Sequence, residues 1–165
     1  MVLGGVRSGK SSFAERLAAE CGEPILYVAT AEALDEEMAE RIALHRLQRP
    51  APWRTLEAPR NVAAQVAAEI GAAQTVVVED LTLLLSNLMT EDEISAEQRA
   101  THEVNELIAL RAHIILVTNE VGMGVVPPYP LGRLFRDSLG RVNQSAALAC
   151  SEVYFVVAGV PLRLK

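Results

Sequence analysis

The sequence predicts an α/β fold, a mostly parallel sheet with helices on both faces. Short runs rich in Val, Ile and Leu alternate with helical segments along the whole chain. Near-continuous apolar strands of this kind belong to parallel sheets covered on both sides. Residues Gly4-Gly5-Val6-Arg7-Ser8-Gly9-Lys10-Ser11 fit the pattern G-x-x-x-x-G-K-[ST], which joins a strand to a helix and cradles phosphate. The expected fold is therefore P-loop NTPase-like. At 165 residues the chain suits one hydrophobic core, so a single domain over residues 1–165 is expected.

Met1-Val2-Leu3 is the apolar end of the first strand, and Ser12 to Glu20 the helix that follows the loop. Pro24 to Thr30 is a buried strand. Asp35 to Gln48 predicts a helix opened by acids, closed by arginines and stopped by Pro50. Trp53 to Glu57 is a strand, Asn61 to Ile70 an Ala-rich helix ended by Gly71, and Thr75 to Glu79 a strand. A helix starts over Leu81 to Leu88, and Glu91 to Arg111 is polar and helical. His113 to Thr118 is a strand, followed by a Gly/Pro-rich loop from Asn119 to Pro130. Leu131 to Ala149 is helical, Val153 to Val157 a strand, and Val160 to Leu164 an edge hairpin strand. Ligands of such sheets bind at the carboxyl ends of the strands. That rule gathers the loops after Leu3, Thr30, Glu57, Glu79 and Thr118 around one crevice.

Composition narrows the function classes. The net charge of −6, with no basic stripe, argues against a general nucleic-acid binder. A local anion site is still allowed around Lys10, Arg46 and Arg49. Cys21 and Cys150 lack metal-ligand or framework spacing and are expected as reduced core thiols. No signal-like segment precedes the loop and no run approaches ~18 apolar residues, so a cytoplasmic chain without a membrane span is expected.

In the loop, glycines let backbone N–H groups converge on a phosphate, Lys10 faces the β- and γ-phosphates, and the Ser11 hydroxyl is available to Mg²⁺. Glu79 and Asp80 end an apolar strand where a second acid for Mg²⁺ belongs. A carboxylate there can also accept the paired N–H donors of guanine. His45, with Arg41, Arg46 and Arg49 around it, is either a packing residue or a nucleophile toward phosphorus beside a guanidinium clamp. His102 and His113 are expected to be structural. Asn119 to Pro127 is a substrate-facing loop or lid, since a surface loop would be more polar. Arg133, Arg136 and Arg141 form a solvated helix face or hold a phosphate.

Ordered blocks extend this pattern over nearly the whole chain. They include Tyr27-Val28-Ala29-Thr30-Ala31, Asp35-Glu36-Glu37-Met38, His45-Arg46-x-x-Arg49-Pro50 and Trp53-Arg54-Thr55-Leu56-Glu57. Later come Leu81-Thr82 with Asn87-Leu88, and Thr118-Asn119-Glu120-Val121-Gly122-Met123-Gly124-Val125-Val126-Pro127. The last are Phe135-Arg136-Asp137, Gly140-Arg141-Val142-Asn143-Gln144 and Val157-Ala158-Gly159-Val160-Pro161-Leu162. In these blocks the chain resembles the bifunctional adenosylcobinamide kinase/adenosylcobinamide-phosphate guanylyltransferase family of cobalamin biosynthesis. The phosphate loop is shared by many families; the His45 and Asn119 blocks are far more specific.

The resemblance implies two reactions. ATP or GTP phosphorylates adenosylcobinamide, and GTP then gives GMP to a histidine, matched here by His45. Adenosylcobinamide phosphate takes that GMP to form adenosylcobinamide-GDP. The same match places Gly4 to Ser11, Thr30, Arg46, Leu47, Gln48, Arg49, Glu57 and Glu79 on the nucleotide, with Mg²⁺ at Ser11 and Glu79. It also implies a homotrimer. Three features depart from the family pattern: only three residues precede Gly4, Glu79-Asp80 stands where an acid-Cys pair is usual, and Met89 to Arg111 is short. A simple small-molecule kinase needs the loop but not His45, and a nucleotide-binding regulator needs the loop alone.

Overall fold

The computed structural model describes residues 1–33, 36, 39–40, 42–43 and 52–165. Among the described residues seven strands form one sheet: β1 (Val2–Gly4), β2 (Ile25–Ala29), β3 (Arg54–Glu57), β4 (Thr75–Glu79), β5 (His113–Asn119), β6 (Tyr154–Val157) and β7 (Val160–Arg163). Five helices have bounds in the described residues: α1 (Lys10–Cys21), α2 (Val62–Glu69), α3 (Leu81–Glu91), α4 (Ala96–Ile108) and α5 (Pro130–Ala149). The strand order is β3-β2-β4-β5-β1-β6-β7. All neighbours run parallel except β6 and β7. The expected mostly parallel α/β architecture is therefore observed.

Both faces are covered, and the period-two pleat sorts residues between them. On β4, Val76 and Val78 face the core beneath α2 to α5, while Val77 faces α1 through Ala14 and Ala18. Trp53 and Tyr27 pack in the second cluster with ring centroids 6.5 Å apart. The hairpin strand β7 is an exposed edge, where Pro161 is tolerated because an outer strand can forgo a ladder N–H. Among the described residues no helix is long and apolar enough to cross a membrane.

Most boundaries shift by a residue or so from the sequence expectation, and three of the differences have a clear local cause or bear on the site. Helix α1 begins at Lys10, two residues earlier, because Phe13 N–H already closes a turn onto the Gly9 carbonyl at 3.0 Å. Strand β5 runs on to Asn119, paired with Gly4. The polar stretch expected as one helix from Glu91 is broken: α3 ends at Glu91 and α4 starts at Ala96. Between them the Asp92 carboxylate accepts the Ile94 N–H at 3.0 Å, the local side-chain bond by which Asp competes with helix. The helix expected over Asp35–Gln48 is helical at Glu36, Ala39, Glu40, Ile42 and Ala43. His45, Arg46, Leu47, Gln48 and Arg49 lie outside the described residues.

Candidate active site

The phosphate loop leaves β1 at Gly4 and enters α1 at Lys10. Gly9 sits at φ 92°, which a side chain rarely tolerates. A Cβ on Gly4 would lie 2.5 Å from the Val156 carbonyl, so the end of β1 can approach β6 this closely only as glycine. The β6–β7 turn braces the loop from outside, with Gly159 N–H donating to the Ser8 carbonyl at 2.8 Å. Lys10 is 8% exposed at the helix start, where the helix dipole and free N–H groups favour an anion.

Glu79 closes β4 beside this loop. The Ser11 hydroxyl donates to its Oε1, so two residues 68 positions apart in sequence meet at the mouth. The Glu79 Oε2 atom is buried without a hydrogen-bond partner. Burial pushes the Glu79 carboxyl up to about 7, opposed by the Ser11 hydroxyl and the Lys10 ammonium and reinforced by Asp80.

Asp80 has a different task. Its Oδ1 accepts the Leu83 N–H at 2.7 Å and caps α3, and its Oδ2 accepts from Asn119 Nδ2 at 3.2 Å. Burial holds this carboxyl above its ordinary range as well. Thr30 is fully buried, and its hydroxyl donates to the Asp80 carbonyl at 2.8 Å while accepting the Asp80 N–H at 2.7 Å. Glu57 ends β3, exposed, in register with Ala29, which in turn pairs with Glu79. The sheet thus aligns Glu57, Glu79 and the loop along one carboxyl edge. The nucleotide-site expectations at His45 and Arg46 to Arg49 fall in the β2–β3 connection, outside the described residues.

Mg²⁺ takes oxygen ligands, typically one or two carboxylates together with substrate phosphates and water. Ser11 Oγ and the unpartnered Glu79 Oε2 fit that donor set. Among the described residues no group of three or more His, Cys, Asp or Glu could hold a metal ion by itself.

Several polar residues of the blocks quoted above take supporting hydrogen bonds that the sequence did not assign to them. Asn119 N–H donates to Thr82 Oγ1 at 2.9 Å, and its Nδ2 also reaches Thr82 at 3.0 Å. Asn143 on α5 donates to the Asn119 carbonyl at 3.0 Å and accepts from Thr118 at 2.8 Å. Asn87 donates to the Thr30 and Pro59 carbonyls at 2.8 and 3.0 Å, tying the loops after β2 and β3 together. The available signal was an amide inside an apolar run such as Leu83-Leu84-Leu85-Ser86-Asn87-Leu88, because a buried amide must find partners. The three arginines of α5 all have partners within the protein, two of them local and one on α4. Arg133 bonds the Pro127 carbonyl, Arg136 bonds Asp137, and Arg141 bonds Glu97 through two nitrogens.

The raised Glu79 carboxyl carries a pH prediction. Its unfolded value is near 4.5 and its folded value about 7. The folded state therefore keeps the proton longer, and the stability this provides is complete below about 4.5 and lost as pH rises through about 7. Glu79→Gln keeps an acceptor for Ser11 and removes the ionisation. In nucleotide- and metal-free protein the variant should gain on the order of 2–3 kcal/mol over the parent by pH 8 and little at pH 4.5. Urea unfolding at both pH values checks this; an equal difference at the two would contradict it.

The comparisons agree along the whole chain. The family model described as cobinamide kinase / cobinamide phosphate guanyltransferase matches residues 1–164. The bifunctional adenosylcobalamin biosynthesis protein CobP of Pseudomonas aeruginosa is 48% identical over 168 residues, covering 100% of this chain and 96% of the relative. The proteins named CobU from Escherichia coli and Salmonella typhimurium are 41% and 40% identical, each covering 100% of this chain and 98% of the relative. With a phosphate loop whose serine meets a half-buried acid, and with this full-length match, the chain belongs to the cobinamide kinase / cobinamide phosphate guanyltransferase family, a bifunctional enzyme of cobalamin biosynthesis.

Proposed function

We propose that one P-loop kinase/guanylyltransferase domain phosphorylates adenosylcobinamide with ATP or GTP and then converts the phosphate to adenosylcobinamide-GDP through a guanylyl-His45 intermediate. The observation that carries the nucleotide half of this reading is the meeting of Ser11 and Glu79 beside buried Lys10. His45 Nε2 or Nδ1 attacks the α-phosphorus of GTP, the bond to pyrophosphate breaks, and pyrophosphate leaves. An oxygen of adenosylcobinamide phosphate then attacks the same phosphorus, the N–P bond breaks, and the imidazole is restored. Lys10 and the loop N–H groups hold the phosphate charge in both reactions, and Arg46 and Arg49 flank the nucleophile in sequence. Ser11 and Glu79 would hold Mg²⁺, which when bound neutralises charge on the phosphate oxygens. Asp80, Thr30 and Asn119 position these groups by fixing the start of α3.

Product analysis tests the function. With adenosylcobinamide, GTP and Mg²⁺, mass spectrometry should find cobinamide phosphate first and cobinamide-GDP later; absence of both would overturn the assignment. The two acids should also separate. Glu57 lies at the far end of the carboxyl edge and is proposed to read guanine, whereas Glu79 is engaged with Ser11. Glu57→Gln should raise the KM for GTP about tenfold while leaving that for ATP within about twofold. Glu79→Gln should weaken both nucleotides alike. Equal effects of Glu57→Gln on ATP and GTP would remove the guanine role. The homotrimer implied by the family resemblance and the cytoplasmic location expected from the sequence belong to the same proposal.

A further inference from the structure

On the side of β1 away from Glu79, the fold leaves a cleft of about 330 Å³. One wall is the phosphate loop, Gly5 to Ser8; the other is Phe155 to Ala158 of β6 and its turn; Glu120 and Met123 close the top. Exposed apolar side chains stand here beside one exposed cation: Val6 is 70%, Met123 77% and Val157 53% exposed, and Arg7 is exposed as well. The base of the cleft is fixed, because Gly159 is bonded to Ser8 and a Cβ on Gly9 would lie 3.1 Å from Gly159 Cα.

We propose that this cleft holds the nucleoside of the triphosphate that phosphorylates cobinamide, a subsite separate from the guanine position at Glu57. The inference rests on the phosphate-loop reading above. Continuity favours it, since the residues that cradle the phosphates are themselves one wall. Size favours it too: the volume lies at the small end of ligand pockets, suited to a nucleoside and far below a corrinoid. The exposed Val6, Met123 and Val157 offer apolar contact to the face of a flat base, with the Arg7 cation beside them.

The sheet order separates the two positions. Glu57 is on β3, four strands from β1, while the cleft lies against β6 on the opposite side. At ~4.8 Å per strand the first distance alone is roughly 19 Å, so one nucleoside cannot serve both. This division suits two chemistries at one loop. Phosphorylation uses the γ-phosphorus and guanylyl transfer the α-phosphorus. A nucleoside leaving the loop on one side or the other exchanges the α and γ ends over Lys10 and Ser11.

The test uses Val157→Trp, which fills the cleft, and Met123→Asp, which charges its rim without touching the core. Phosphorylation is assayed with ATP and with GTP as separate donors, and guanylyl transfer with GTP and preformed adenosylcobinamide phosphate. Inorganic triphosphate serves as an inhibitor lacking the nucleoside. Both variants should raise the donor KM in phosphorylation about tenfold, with kcat retained. The GTP KM in guanylyl transfer and inhibition by inorganic triphosphate should stay within about twofold. An unchanged donor KM in both variants, or a parallel rise in both reactions, overturns the separate subsite. Lys10→Ala in parallel distinguishes the underlying reading: if it too leaves turnover intact, the phosphate-loop assignment itself fails.

Discussion

His45→Asn is expected to abolish guanylyl transfer while cobinamide phosphorylation continues. Asparagine keeps a polar side chain of similar reach but has no nucleophilic ring nitrogen. Splitting the transfer into two displacements requires such a nitrogen beside a phosphate clamp, and the sequence offers His45 between Arg41, Arg46 and Arg49. Phosphorylation needs only donor, Mg²⁺ and acceptor hydroxyl in line. Separate assays of the two steps should show loss of cobinamide-GDP with accumulation of cobinamide phosphate. Parent-rate production of cobinamide-GDP by the variant would demote His45 to a helix residue.

Lys10→Ala should lower both activities together. The ammonium is the cation placed at the loop's helix entrance, 8% exposed and beside the Glu79 and Asp80 carboxyls. Removing a charge-assisted contact to phosphate costs on the order of 2–3 kcal/mol of transition-state stabilisation, or roughly 30- to 150-fold in kcat/KM. Lys10→Met, which keeps the apolar stem, should lose as much activity and separates charge from packing. Circular dichroism should show the fold retained in both. Unchanged turnover at saturating GTP would remove the loop from the chemistry.

The parts of this enzyme that were legible in sequence are the local ones. The phosphate loop is a contiguous pattern, and each central strand announces itself as a run such as Thr75-Val76-Val77-Val78-Glu79 between turn residues. The break at Asp92–Ser95 was missed because no Gly or Pro marks it and helix-favouring polar residues resume directly after it, so that one Asp side-chain bond decides the boundary. Contacts across long sequence separations were hidden for a different reason. The Ser11–Glu79 bond depends on which strand lies where, and no spacing encodes the order β4-β5-β1-β6. The same order sorts Glu79 from its neighbour: Asp80 is taken up by Leu83 and Asn119, leaving Glu79 to face the loop. Sequence could name the acid pair but not divide its labour. The cleft beside the loop is likewise a product of topology, because its walls come from residues about 150 positions apart.

The two-step account is tested most directly by the mass of the protein itself. After incubation with GTP and Mg²⁺ in the absence of cobinamide, peptide mass spectrometry should find one GMP on the peptide containing His45. The adduct should survive base, be lost in acid as a phosphoramidate is, and disappear when adenosylcobinamide phosphate is added. An unmodified His45 peptide in a preparation that makes cobinamide-GDP at full rate would contradict it, and direct attack of the substrate phosphate on GTP would take its place.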